Sequence, residues 1–255
     1  MTLPLQGQTV VVTRPESQAA DLVVKLEQAG AGVIVFPTLS IEPLPLTSQD
    51  KSRIMDLDRY DFVICVSANA ARLGLEALAD YWPQWPDQQQ WIAVGPATGA
   101  VMENWQLKLK VAQQGSTSET LLSWPELQNL QEKRVLILRG QSGRETLANT
   151  LRERGAQVDY LELYQRALPD VDASRLITPL AAGQRLNITV TSGDGLRNLM
   201  ALVAEQLSHL QNCPLIVVSG RLAQFAKEQG FHQVIEAKSA SGDDIVQALA
   251  GLESN

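Results

Sequence analysis

Cysteine, histidine and aromatic residues are scarce in this sequence, and each shortage excludes something. The two cysteines, Cys65 and Cys213, adjoin apolar runs (Phe62-Val63-Ile64-Cys65-Val66 and Cys213-Pro214-Leu215-Ile216), so they read as small core hydrophobes rather than a disulfide or metal pair. The two histidines, His209 and His232, stand apart, and no HExxH, CxxC or carboxylate–histidine cluster occurs; no metal is expected. Aromatics make up 5% of the chain, too few for a base-stacking surface, and the formal net charge of −7 repels phosphate backbones, so no nucleic-acid partner is expected. No apolar run approaches the ~18 residues that cross a bilayer. The opening Met1-Thr2-Leu3-Pro4-Leu5-Gln6-Gly7 lacks the basic patch and apolar stretch of a secretory signal, which makes a cytoplasmic protein without membrane contact the expectation. Nucleotide fingerprints are missing too: Arg139-Gly140-Gln141-Ser142-Gly143-Arg144 is not GxGxxG, and there is no GxxxxGK[ST], so no cofactor is expected.

What is present is an apolar fraction of 45%, enough to bury a core, in 255 residues that suit one large domain or two ordinary ones. The chain also matches itself. Adding 125 to each number carries Val10-Val11-Val12-Thr13-Arg14 onto Val135-Leu136-Ile137-Leu138-Arg139, and carries Leu22, Leu26, Gly30, Ser67 and Arg72 onto Leu147, Leu151, Gly155, Ser192 and Arg197. Each repeat alternates short β-branched runs with helical patterns. Thr9–Thr13 predicts a strand, and Gln18–Ala29 a helix capped by Ser17 and ended by a left-handed Gly30. Val33–Phe36 predicts a second strand, Phe62–Val66 a strand leading to a helix from about Ala70, and Trp91–Val94 a strand leading to one from about Thr98. Strands apolar on both faces with helices between them mean an α/β protein with doubly wound parallel sheets.

Each repeat carries a proline-marked linker after its first strand–helix–strand unit: Leu39-Ser40-Ile41-Glu42-Pro43-Leu44-Pro45 and Tyr164-Gln165-Arg166-Ala167-Leu168-Pro169-Asp170. Two divisions fit. The chain can be cut near residue 125 into consecutive domains, or it can cross at both linkers, so that residues 42–165 form one domain while 1–38 and 168–255 form the other. Periodicity does not choose between them.

In parallel sheets ligands bind beyond the carboxyl ends of the strands, against helix N-termini. The residues that follow the strands are therefore candidates: Arg14; Ser67 and Asn69; Thr98 after Gly95-Pro96; Arg139, Gly140 and Arg144; Ser192 and Gly193 with Asp194; Ser219 and Arg221. Small and hydroxylated residues expose backbone N–H groups, and arginines pair with carboxylates. Taken one at a time, the serines, Asn69 and Thr98 also read as ordinary helix caps. Tyr164 falls in a linker, where a phenol can face a cleft and give or take a proton; packing on a domain edge is the other reading.

These segments come in a fixed order: Val12-Thr13-Arg14-Pro15, Val66-Ser67-Ala68-Asn69-Ala70, Val94-Gly95-Pro96-Ala97-Thr98, Leu138-Arg139-Gly140 with Gly143-Arg144, Leu161-Glu162-Leu163-Tyr164-Gln165-Arg166, Thr191-Ser192-Gly193, and Ala240-Ser241-Gly242-Asp243-Asp244-Ile245. Each is weakly specific, but their order and spacing over essentially the whole length make the chain resemble the uroporphyrinogen-III synthase family. The resemblance implies two doubly wound α/β domains with an interdomain cleft, joined by a two-stranded linker, the first domain discontinuous. It implies a cofactor-free lyase that cyclises hydroxymethylbilane, with inversion of ring D and loss of water, to uroporphyrinogen III in haem biosynthesis. It matches the family's reaction-linked tyrosine to Tyr164 and its small polar cleft positions to Ser67, Thr98 and Ser192. Arg14, Arg139, Arg144 and Arg221 would offset the substrate's carboxylates. One departure is plain: where members often read Gly-Pro-x-Thr in the second half, this chain has Ser219-Gly220-Arg221-Leu222. A second class also fits two lobes joined by two linkers, a cytoplasmic small-molecule-binding protein without catalysis. A monomer is expected, since no unexplained apolar stretch stands out.

Overall fold

The computed structural model describes residues 3–112 and 118–254; Met1 and Thr2, the start of the amino-terminal segment read above, lie outside them. The chain divides into two compact units, Met1–Ser40 with Ala167–Asn255, and Ile41–Arg166. Along it run β1 (Thr9–Val12), α1 (Ala20–Gln28), β2 (Gly32–Val35), β3 (Ser40–Pro43), α2 (Ser48–Met55), β4 (Phe62–Cys65), α3 (Ala68–Ala79), β5 (Gln90–Ala93), α4 (Pro96–Met102), β6 (Leu109–Val111), α5 (Ser118–Leu122), β7 (Arg134–Gly140), α6 (Thr146–Glu153), β8 (Gln157–Ala167), α7 (Ser174–Ala181), β9 (Leu186–Thr189), α8 (Gly193–Leu202), α9 (Leu207–Gln211), β10 (Leu215–Val217), α10 (Gly220–Glu228), β11 (Val234–Glu236) and α11 (Gly242–Ala250).

The first unit holds a sheet of order β11-β10-β9-β1-β2, its strands paired in parallel. The second holds β3-β8-β7-β4-β5-β6, with β8 through β6 parallel. Both sheets are covered on both faces, which is why their strands are apolar without alternation. Val10 and Val12 pack with Leu22 and Leu26 of α1 and Ile245 and Leu249 of α11, while Val11 between them joins Leu196 and Leu199 of α8 and Leu222 of α10. In the second unit Val63 and Cys65 pack against Ala71, Leu75 and Leu78 of α3, and Ile64 turns to Leu147 and Leu151 of α6. Each such buried Leu, Ile or Val contributes about 1.5–3 kcal/mol from surface removed from water. Both cysteines are free and buried, within these clusters.

The repeat is visible in the backbone. Gly30 and Gly155, equivalent at the 125-residue offset, close α1 and α6 with φ of +95° and +98°, a conformation that only glycine enters freely. Two expectations need correction. Ser17 does not cap α1: it sits inside a 3₁₀ turn, Glu16–Gln18, and the helix starts after Ala19 with no side-chain cap. Tyr164 is not in a linker: β8 runs on through it to Ala167, with β3 beside it and the Leu44 N–H, just after β3, donating to the Leu163 carbonyl at 2.9 Å. The linker segments thus contribute two neighbouring strands, and the chain passes between units within them, at Ser40/Ile41 and Arg166/Ala167.

Candidate active site

Each sheet has one place where the strand order reverses: between β1 and β9 in the first unit, and between β4 and β7 in the second. Loops leaving adjacent strands in opposite directions open a crevice there, the usual seat of a ligand in such sheets.

In the second unit, Ser67 follows β4 with an extended backbone and caps α3 by accepting the Ala70 N–H at 3.1 Å. Its hydroxyl lies 3.0 Å from the Tyr164 hydroxyl. Tyr164 reaches it because of a register shift. Along β7 and β8, Leu138 pairs with Leu161 and Arg139 with Glu162, but Gly140 pairs with Tyr164, leaving Leu163 unpaired. A bulge of this kind re-aims the following side chain. Without it, alternation would put Tyr164 on the side of Tyr160 and Glu162. With it, Leu161, Leu163 and Tyr164 all join the α3 side of the sheet, and Tyr164 is 3% exposed. The Gln141 N–H donates to the Tyr164 carbonyl at 2.7 Å, which pins the bulge.

Arg139 does not join this group. It follows Ile137 onto the opposite face, where it is buried, donates to Glu145 at 2.8 Å and to the Gly140 carbonyl at 3.2 Å, and stacks 4.5 Å above the centre of the Tyr160 ring. Tyr160 donates its hydroxyl to the same Glu145. Hydrogen bonds from Tyr160 and Arg139 hold the Glu145 carboxyl below its ordinary range, while burial and Glu145 push the Tyr160 phenol up. Glu145 was missed in the sequence; its spacing from Arg139 is not diagnostic, and the contact depends on the loop through Ser142, whose φ is +65°. Arg144 in that loop is exposed and Asn69 in the first turn of α3 is half-buried. Thr98 is buried in the first turn of α4, whose cap Gly95 brings no side chain to the helix end.

In the first unit, Arg14 follows β1 and donates to the Ala240 carbonyl. Burial lowers its pKa from the ordinary value, against the opposing pull of Asp21. Ser192, after β9, caps α8 through the Gly195 N–H at 3.0 Å, so that Gly193 opens the helix. Ser219 caps α10 through the Leu222 N–H at 3.3 Å. Arg221 is exposed on the first turn of α10, and Leu222 is turned into the core. Buried threonines stitch the same end of the sheet. Thr13 donates to the Thr189 carbonyl at 2.7 Å, Thr38 to the Thr13 carbonyl at 3.2 Å, and Asn198 of α8 to the Thr38 carbonyl at 2.8 Å.

Six of the candidates thus fall into two sets, each at the reversal of its own sheet: Ser67, Gly140 and Tyr164 beside β4 and β7, and Arg14, Ser192 and Gly193 beside β1 and β9; Thr98 follows β5, and Ser219 and Arg221 follow β10. A cavity of about 280 Å³ in the first unit lies at the other, amino-terminal ends of the strands, between Leu186, His209, Cys213 and Gln233, and holds none of them. Among the described residues no group of three His, Cys, Asp or Glu is placed to hold a metal ion, and no helix is long and apolar enough to cross a membrane.

Known proteins resemble this chain over nearly its whole length. The family model described as "Uroporphyrinogen-III synthase HemD" matches residues 20–247. The uroporphyrinogen-III synthase of Escherichia coli K12 is 32% identical over 244 residues, covering 94% of this chain and 99% of that protein. The enzyme of the same name from Synechococcus elongatus is 30% identical over 211 residues, 80% of this chain and 78% of its own. Among solved structures, a mutant uroporphyrinogen III synthase from the extremely thermophilic bacterium Thermus thermophilus superimposes with a TM-score of 0.65, covering 98% of this chain and 100% of its own, at 18% identity. That likeness speaks for the fold alone.

Proposed function

The chain belongs to the uroporphyrinogen-III synthase family, and we propose that it catalyses the reaction of that family, the closure of hydroxymethylbilane to uroporphyrinogen III. The observation that carries this is the match of the family model to residues 20–247, together with 32% identity across 94% of the chain. In this reaction the bilane loses its terminal hydroxyl as water, the substituted carbon of the last pyrrole attacks the resulting cation to give a spiro intermediate, and fragmentation and recombination invert ring D before the ring closes. The bilane also closes unaided to the uninverted isomer, so the protein's task is geometry more than nucleophilic power.

In our reading, Tyr164 donates a hydrogen bond to the departing hydroxyl, as a positioned acid does. Its support is the bulge in β8, which turns the phenol towards Ser67 at the β4–β7 reversal. Backbone N–H groups opening α3, α4, α8 and α10 bind the acetate and propionate groups, with Asn69, Thr98, Gly193 and the cap serines leaving room for them. Arg14, Arg144 and Arg221 add positive charge to a chain of net charge −7, whereas the charge of Arg139 is offset by its pairing to Glu145. The protein works as a cytoplasmic monomer in this reading: free thiols suit a reducing compartment, and the exposed large apolar residues Leu3, Val24, Met55, Tyr81 and Leu168 are scattered in sequence.

The test is to incubate the protein with freshly made hydroxymethylbilane and resolve the product isomers. Accumulation of the inverted isomer above the spontaneous background is expected; background alone would leave only a binding role. Tyr164→Phe should lower kcat by about a hundredfold, the lower range for a positioned acid.

A further inference from the structure

Ser67 does more than present a small polar surface. We infer that Ser67 is a positioning residue that orients the Tyr164 proton for catalysis, an inference resting on the donor role proposed above for Tyr164. A serine hydroxyl has one proton and two lone pairs. The Ala70 N–H occupies one lone pair of Ser67 at 3.1 Å. The hydroxyl's remaining contact is the Tyr164 oxygen at 3.0 Å, where either partner can donate. One oxygen–oxygen contact uses one proton, so whichever hydroxyl donates leaves the other's proton for a partner outside the pair. The donor role proposed for Tyr164 needs its proton for the leaving group and so requires Ser67 to donate: Ala70 N–H to Ser67, Ser67 O–H to Tyr164. The phenolic proton then points away from Ser67 and is free for an acceptor outside the pair.

The arrangement has a second consequence. Ser67 stands at the N-terminus of the twelve-residue helix α3, the positive end of its dipole. A serine that takes its lone-pair bond from that helix end and gives its proton to the phenol oxygen stabilises the charge left there as Tyr164 releases a proton to the leaving hydroxyl, which departs as water. Gly140 completes the seat, since a side chain there would occupy the space of the ring. Ser67 differs in this from the other two cap serines: among the described contacts, Ser192 and Ser219 cap α8 and α10 without bonding a second side chain.

The test uses the full chain, with kcat, KM and product isomers measured for Ser67→Ala, Ser67→Thr, Ser67→Asp, Tyr164→Phe and the Ser67→Ala/Tyr164→Phe double variant. Ser67→Ala should lower kcat about tenfold with KM within about twofold, the loss of one oriented hydrogen bond. Ser67→Thr keeps cap and donor and should recover most of the rate. Ser67→Asp keeps the cap, and so the stability of α3, but as a carboxylate has no proton to donate; its kcat should stay low. In the Tyr164→Phe background, Ser67→Ala should cost nothing further. Recovery of kcat in Ser67→Asp, a change in KM alone, or losses that multiply in the double variant would overturn the inference while leaving Tyr164 as donor. Full kcat in Tyr164→Phe would instead remove the donor role, and the inference with it.

Discussion

The ring of Tyr164 occupies the place where a side chain at Gly140 would stand: a methyl group there would lie 2.6 Å from two ring carbons, Cε2 and Cζ. Ring and backbone are held together from both sides, by the β7–β8 pairing and by the Gln141 N–H on the Tyr164 carbonyl. Gly140→Ala should therefore push the phenol off Ser67. A stability loss of about 1–3 kcal/mol is expected, the usual cost of overpacking a filled site, with a fall in kcat greater than any change in KM. In a Tyr164→Ala background Gly140→Ala should cost no further stability, since the ring it meets is gone, and no rate should return. Denaturant unfolding of the single and double variants checks this; an unperturbed Gly140→Ala enzyme would show that the ring moves aside freely.

Much of this arrangement was legible in the sequence, and what was not has a physical reason. Strand positions followed from short β-branched runs, and the glycine equivalence of Gly30 and Gly155 marked matching helix ends. Ser67, Ser192 and Ser219 were readable as residues following strands, and all three cap the helices that begin there. The face that Tyr164 presents was not readable, since alternation along β8 predicts the opposite face and only a one-residue register shift reverses it. The pairing of Arg139 with Glu145 was equally hidden, because a contact across a tight loop leaves no periodic trace. Ser17 misled because a serine before a helical run is a cap only if the turn between them allows it.

Leu222 stands where family members often carry a threonine, and it is 6% exposed in the core with Leu196, Leu199 and Ala226. Thr98, which holds the same third place in α4 that Leu222 holds in α10, is buried as well. The position thus faces inward in both halves, and leucine there serves packing. Leu222→Ala should cost about 2–5 kcal/mol, as for other buried leucines. Leu222→Thr should also destabilise, by exchanging packed methyls for a hydroxyl in an apolar surround, and should not raise kcat. A rate gain in Leu222→Thr would return this position to the reaction.

Arg139 and Glu145 form an unequal pair: the arginine side chain is 5% exposed and the glutamate 52%. Removing the buried partner deletes packing over Tyr160 as well as charge, whereas the outer partner stays largely solvated. Arg139→Gln should therefore destabilise the protein clearly more than Glu145→Gln, whose effect should stay within about 1 kcal/mol. Chemical denaturation of both variants decides the order. Equal losses would mean that the ion pair itself, rather than burial of the arginine, holds the loop after β7.

Asp61 precedes β4 and ties it to the start of β7, accepting the Lys133 ammonium at 2.7 Å and the Arg134 N–H at 2.9 Å. Partial burial alone would raise its pKa, but the hydrogen bonds from Lys133 and Arg134 outweigh that and hold it below the ordinary value. A folded-state pKa below the unfolded one means that the unfolded chain binds protons first as the solution is acidified. Stability from this carboxylate is thus complete above the ordinary aspartate pKa of about 4 and is lost as the pH falls through the lower folded value. Asp61→Asn keeps an acceptor for the Arg134 N–H but cannot titrate. The variant should be less stable than the parent near pH 6, and the gap should close as the pH is lowered below about 4. Unfolding free energies measured across that range check the sign: a gap that stays constant, or widens in acid, would show that Asp61 acts through shape and not through charge.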